Sequence, residues 1–129
     1  MENLEEVKNK AKLCLGCKTK PCSKACPMHT RIPEFIENIK NDDFEEAYNT
    51  LISNNLFSHV CSLICPQENQ CEGSCVRGIK GTSTEIGKLE TFVNNWAIEN
   101  NVKPNIKQEE LNENIKVAIV GAGPARTFM

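Results

Sequence analysis

Eight cysteines fall into two tight sets, and this clustering constrains the chain more than any other feature. The first set is Cys14-x2-Cys17-x4-Cys22-x3-Cys26-Pro27, the second Cys61-x3-Cys65-Pro66-x4-Cys71-x3-Cys75. Thiolates two to four residues apart on one loop can reach neighbouring positions of a single compact centre, and a proline after a cysteine keeps the chain from folding back over it. The compartment bears on which chemistry they serve. Met1-Glu2-Asn3-Leu4-Glu5-Glu6-Val7 is acidic and polar where a secretory signal needs a basic start and an apolar run, so no export is expected. The longest strongly apolar stretch, Val117 to Val120, falls far short of the ~20 residues that cross a bilayer. A soluble, cytoplasmic chain is the expectation, and there clustered cysteines are more often metal ligands or redox groups than disulfides.

Structural zinc is the main rival among metals. Zinc ribbons pair two Cys-x2-4-Cys knuckles, which the x2, x4, x3-Pro order fits poorly. Three close cysteines with a fourth followed by proline is the pattern of bacterial ferredoxins, where the fourth ligates the other of two clusters. The same interleaving is expected here. His29 and His59 lie near the two sets and read as loop or supporting groups rather than ligands.

Between and around the sets the chain reads as helical. Leu4, Val7, Ala11 and Cys14 recur at helical spacing, so residues 3–14 form an amphipathic helix that delivers Cys14 to the buried side. Residues 15–28, broken by Gly16, Pro21 and Pro27, read as a loop shaped by what it binds. Pro33 suits the first turn of a helix whose stripe, Ile32, Phe35, Ile36 and Ile39, runs to Lys40. Asp42 with Glu45 resembles a capping box for a helix bearing Phe44, Ala47, Tyr48, Leu51 and Ile52 and ending at Asn54 and Asn55. These two helices are expected to pack as an antiparallel pair. Leu56 to Ile64 is a further short helix leading into Cys65. Thr82 with Glu85 suits the start of the longest helix, whose stripe of Ile86, Leu89, Val93, Trp96 and Ala97 lasts to Asn100.

Glu90 shares a face of that helix with Ile86, Val93 and Ala97. An ionised carboxylate facing a core costs several kcal/mol unless paired or bound to metal. Periodicity alone leaves two readings open, a stripe-edge side chain reaching solvent or a lysine, and a metal ligand. Aromatic residues make up only 5% of the 129 residues, so something besides an aromatic-rich interior must help hold the fold together. With 15 Lys plus Arg against 17 Asp plus Glu, the net charge of -2 offers no basic surface for nucleic acid.

The first cysteine set, then Cys65-Pro66-x3-Gln70-Cys71-Glu72-Gly73-x-Cys75-Val76-Arg77-Gly78, then Ile86-Gly87-Lys88-Leu89-Glu90, resemble the N-terminal iron-sulfur domain of the glutamate synthase small subunit family. Dihydropyrimidine dehydrogenase shares the pattern, and the resemblance covers about residues 10 to 125. It implies an all-α, helical ferredoxin-like fold binding two 4Fe-4S clusters. Carried over by matching position, Cys14, Cys17, Cys22 and Cys75 would hold one cluster. Cys26, Cys65 and Cys71 would hold the other, with Glu90 as a non-cysteine fourth ligand. Cys61 has no ligand role in the pattern and would be a free buried thiol. The resemblance further implies that NAD(P)H reduces FAD in flavin domains that follow, and that the clusters pass electrons singly toward a large catalytic subunit or a distant flavin. In glutamate synthase that partner converts 2-oxoglutarate to glutamate with glutamine-derived ammonia.

Residues 101–115 are polar, contain Pro104 and read as a linker. Val117 to Val120 followed by Gly121-Ala122-Gly123-Pro124-Ala125 resembles the strand and turn that open an FAD-binding Rossmann unit, which makes Gly121 and Gly123 candidate nucleotide contacts. Arg126 stands where the third glycine belongs, and no helix or acidic ribose ligand follows. The expected organisation is a helical iron-sulfur domain over 1–100, a linker over 101–115, and the truncated start of an FAD/NAD(P)-binding domain over 116–129. Alone, such a chain is expected to lack the parent's catalytic activity.

Overall fold

The computed structural model describes residues 3–105 together with Lys116, Ala118, Val120 and Gly121. All regular structure among them is helical: α1 (Leu4–Lys12), α2 (Pro21–Ala25), α3 (Ile32–Lys40), α4 (Phe44–Asn54), α5 (Ser58–Ile64) and α6 (Ile86–Glu99), with 3-10 turns at Gln67–Asn69 and Val76–Ile79. This is the all-α architecture expected. Most of the expected linker, the C-terminal strand and Gly123 lie outside the described residues. Gly121 has a φ of 111°, which a side chain would strain.

Asn3 opens α1 by accepting the Glu5 N–H, and Val7 and Ala11 face the interior. The helix ends at Lys12, so Cys14 lies just beyond it, its N–H bonded to the Ala11 carbonyl at 3.0 Å. Within the stretch expected to be a loop, five residues form α2. Lys20, at a left-handed φ of 46°, turns the chain into it, and Pro21 supplies a preset first-turn φ. One helical turn is too short to show periodicity, which is why it was invisible in the sequence. Ser23 at its centre accepts the Ile32 N–H at 3.2 Å, satisfying a donor at the start of α3.

The antiparallel run of α3 and α4 shows in their cross-links. Arg31, before α3, donates to Ser53 and Asn54 at the end of α4, while Asn38 further along α3 donates to Thr50. Asp43 rather than Asp42 caps α4, accepting the Glu46 N–H at 3.1 Å. Asp42 instead takes a φ of 64° in the connecting turn and pairs with Lys8.

The longest helix among those described, α6, packs on α1, α4 and α5, while α3 packs on α1, α2 and α4. Their apolar faces merge into one core that includes Phe35, Ile36, Ile39, Leu51, Leu89 and Val93. Each such side chain contributes about 1.5–3 kcal/mol on full burial. Phe44 extends this core through an edge contact with Phe92 and a tilted one with Trp96. The start of α6 differs from expectation: the helix begins at Ile86, and its Gly87 N–H is capped from afar by the Glu72 carboxylate at 2.9 Å. That bond ties the second cysteine loop to α6. The Ser58 hydroxyl, donating to Glu90 and accepting from Asn94, fastens α5 to the same helix.

Candidate metal centres

Two cavities gather the thiols. Cys14, Cys17 and Cys22 from the first set share one of about 360 Å³ with Cys75 from the second, and Cys26 shares another of about 610 Å³ with Cys61, Cys65, Cys71 and Glu90, both partly open to solvent. The two cysteine sets are therefore crossed rather than segregated. Ile32, only 2% exposed, lines both cavities, so a single aliphatic side chain helps separate them. Neither histidine lines either space. All eight cysteines are free.

The two ends of the second loop differ electrostatically. Burial pushes the Cys71 thiol up to about 12, with the Glu72 backbone N–H pulling weakly against it. At Cys75 burial also raises the thiol, but N–H groups of Thr84, Arg77 and Gly78 and the Thr84 hydroxyl outweigh it, leaving the thiol below its ordinary value. The 3-10 turn starting at Val76 carries the Arg77 and Gly78 donors, while Thr84 approaches the sulfur from beyond it. Cys22 is raised, first by burial and then by its proximity to Cys14 and Cys75. Cys65 is raised by burial and by its neighbour Cys61.

Glu90 opens onto the second cavity. Burial pushes its carboxyl up to about 7, and the Ser58 hydroxyl at 2.7 Å pulls the other way. Among the described residues the partner found for this carboxylate is the Ser58 hydroxyl, and the side chain is partly buried. Cys61 departs from expectation too: it is half-buried rather than buried, stands on the cavity wall beside Cys65, and accepts from Asn55 Nδ2 at 3.2 Å. Asn55, Ser58, Glu72, Arg77 and Thr84 stand at or support the two cavities; the sequence offered Asn55 only as a helix end and the others no part in the site. Glu72 and Arg77 stood inside the quoted motif, so position was a signal for those two.

The turn between Cys71 and Cys75 explains a glycine in that motif. A Cβ on Gly73 would lie 2.2 Å from the Glu68 carbonyl oxygen, so only glycine lets the chain pass. Gly87 is likewise overlain by the Gln67 side chain, whose amide donates to the Ser62 carbonyl.

Soft thiolates, four at one cavity and at least three at the other, are the donor chemistry of iron-sulfur clusters. They surround space rather than converge on a point: among the described residues, no three His, Cys, Asp or Glu side chains are grouped to hold a single metal ion. In a four-iron cube each protein ligand takes a different iron, so ligands stand around a volume, and the residues present fit that group. These features define a class, the helical iron-sulfur domain.

Residues 1–102 match the family described as dihydropyrimidine dehydrogenase domain II, 4Fe-4S cluster, and the chain belongs to that family. It is 38% identical over 115 residues to the NAD-dependent dihydropyrimidine dehydrogenase subunit PreT of Escherichia coli, covering 89% of this chain and 27% of that protein. It is 35% identical over 124 residues to the glutamate synthase [NADPH] small chain of Azospirillum brasilense, covering 94% of this chain and 25% of the relative. The Escherichia coli glutamate synthase small chain is 33% identical over 120 residues, with 93% and 25% covered. The chain thus spans about a quarter of the length of these relatives. No helix among the described residues is long and apolar enough to cross a membrane.

Proposed function

We propose that this chain is an electron-transfer module carrying two 4Fe-4S clusters, which relay electrons between FAD and a partner of a glutamate synthase-like NAD(P)H-dependent oxidoreductase. Cys14, Cys17, Cys22 and Cys75 hold one cluster, and Cys26, Cys65, Cys71 and Glu90 the other. The observation that carries this reading is the pair of cavities, each lined by thiols from both cysteine sets and separated in part by the Ile32 side chain. Such clusters supply one-electron transfer, whose rate falls exponentially with distance, so two sites sharing a wall residue suit a relay. The protein's own part is to fix the donors on packed loops, exclude bulk water with Ile32 and Ile36, and satisfy the sulfurs with backbone N–H groups such as those around Cys75. NAD(P)H, FAD and any large catalytic subunit belong to the whole oxidoreductase, with residues 116–129 leading into its flavin domain and residues 101–115 as the linker. Cytoplasmic residence suits such chemistry.

Anaerobic purification tests the reading. The expected product is brown, bleaches with dithionite, and contains about eight iron and eight sulfide per chain, as two four-iron clusters require. A colourless protein with stoichiometric zinc would point instead to a structural or interaction module without redox function.

A further inference from the structure

The walls of the two cavities differ in charge. Apart from cysteines, and among the described residues, the first is lined by one ionisable residue, Arg77, and the second by one, Glu90. Arg77 lies in the 3-10 turn that follows Cys75, and its Nη1 is buried with no hydrogen-bond partner in the protein. Leaving a buried donor unpaired costs about 1–3 kcal/mol, and more for a charged group. Three other basic side chains are engaged elsewhere: Lys20 pairs with Glu34, Lys40 holds the Cys14 carbonyl and Glu37, and Arg31 grips the end of α4. The guanidinium is charged at every accessible pH, so it contributes a fixed positive charge.

We propose that the positive charge of Arg77, on the wall of the cavity that gathers Cys14, Cys17, Cys22 and Cys75, sets this cluster's reduction potential above the other's. The inference rests on the two-cluster reading and adds an order to it. Reduction adds one negative charge to a cluster, and a nearby cation stabilises the reduced form more than the oxidised one, strongly so away from bulk water. Net charge and hydrogen bonds to sulfur are the levers that set cluster potentials. Both act in the same direction at the first centre, where Cys75 also receives N–H groups from Thr84, Arg77 and Gly78. At the second centre Glu90 stands in for a fourth thiolate, so the ligand charge is the same, and among the described residues no basic residue lines the cavity. Arg77 is thus a tuning residue, acting on the cofactor rather than on any substrate.

The test is a redox titration of the anaerobically purified holoprotein followed by electron paramagnetic resonance, with Cys75→Ser used to assign the signal of the first cluster. In the wild type that signal should have the higher midpoint. Arg77→Gln should lower it by at least tenfold in the reduction equilibrium, about 59 mV for one electron, and leave the other cluster within threefold. Arg77→Lys, which keeps the charge, should lose less than half as much. A merely structural arginine would change iron content or melting without moving one midpoint selectively. An equal or reversed order in the wild type overturns the proposal, as does an Arg77→Gln protein with full iron and unchanged midpoints. Should Arg77→Gln fail to retain iron, the wild-type order and Arg77→Lys still decide. A wild-type chain without iron and sulfide would instead sink the two-cluster reading, and this is seen before any variant is made.

Discussion

Glu90 couples proton binding to folding. Its carboxyl is raised from 4.5 to about 7, chiefly by burial. Between those values the metal-free folded chain binds more protons than the unfolded one, so stability falls as pH rises through the window, by on the order of 3 kcal/mol in total. Glu90→Gln removes that dependence. Urea denaturation of the metal-free proteins at about pH 4.5 and pH 8 should therefore show the wild type losing stability relative to the variant at the higher pH. Parallel curves at both pH values would contradict the burial. The thiols make a second prediction of opposite sign. Cys71, pushed to about 12, and the raised Cys65 must release protons before they can bind metal, whereas the lowered Cys75 gives its proton up more readily. Cluster reconstitution should accordingly improve from about pH 6.5 to pH 8.5, and the second cluster's signal should depend on pH more steeply than the first. Of these residues, the cysteines were legible from spacing alone. Glu90 was legible only as an oddity within an apolar stripe, because periodicity gives a face but not what that face meets.

Elements show where local signals sufficed. The stripes of α1, α3, α4 and α6 are long enough for helical periodicity to stand out, and each faces the core, although Leu4 at the start of the α1 stripe is exposed. Their ends were less legible, since caps are chosen by tertiary context. Asp42 and Asp43 are chemically equivalent in sequence, yet the turn puts Asp42 at positive φ and leaves Asp43 to cap. Asp43→Ala should cost about 1 kcal/mol of stability by thermal or urea unfolding, and Asp42→Asn, which loses the ion pair with Lys8 but keeps a residue type that tolerates positive φ, distinctly less. The cap on α6 comes from Glu72, 15 residues away, a distance no local capping rule spans. Gly73 controls the turn that separates Cys71 from Cys75. Gly73→Ala forces a Cβ against the Glu68 carbonyl and should reduce iron in both clusters together, because the two cysteines serve different cavities. Loss from one cluster alone, read by electron paramagnetic resonance, would argue against the crossed arrangement.

For the whole molecule the question is what holds when the metal is removed. The packed faces of α3, α4 and α6 supply an apolar core of their own, whereas residues 13–31 and 65–85 are organised around the thiols. Anaerobic chelation of iron should therefore lower the melting temperature and expose residues 13–31 and 65–85 to limited proteolysis before α3 and α4. Leu89→Ala should act differently, costing about 2–5 kcal/mol with the cavity it leaves in the core while iron stays bound below the melting temperature. Sequence by itself determined the class: soft donors at iron-sulfur spacing, carried between amphipathic helices, because spacing within a loop is a local property. Which thiols face one another was implied by resemblance but not by spacing. That depended on α6 packing against α1 and α4 with α5 packed on α6, which accompanies Cys75 at the first cavity and Cys65, Cys71 and Glu90 at the second. Arg77, by contrast with Glu90, stands on the wall of the first cavity. Long-range contacts of this kind arise from the summed burial of many side chains, and no short stretch of sequence encodes them.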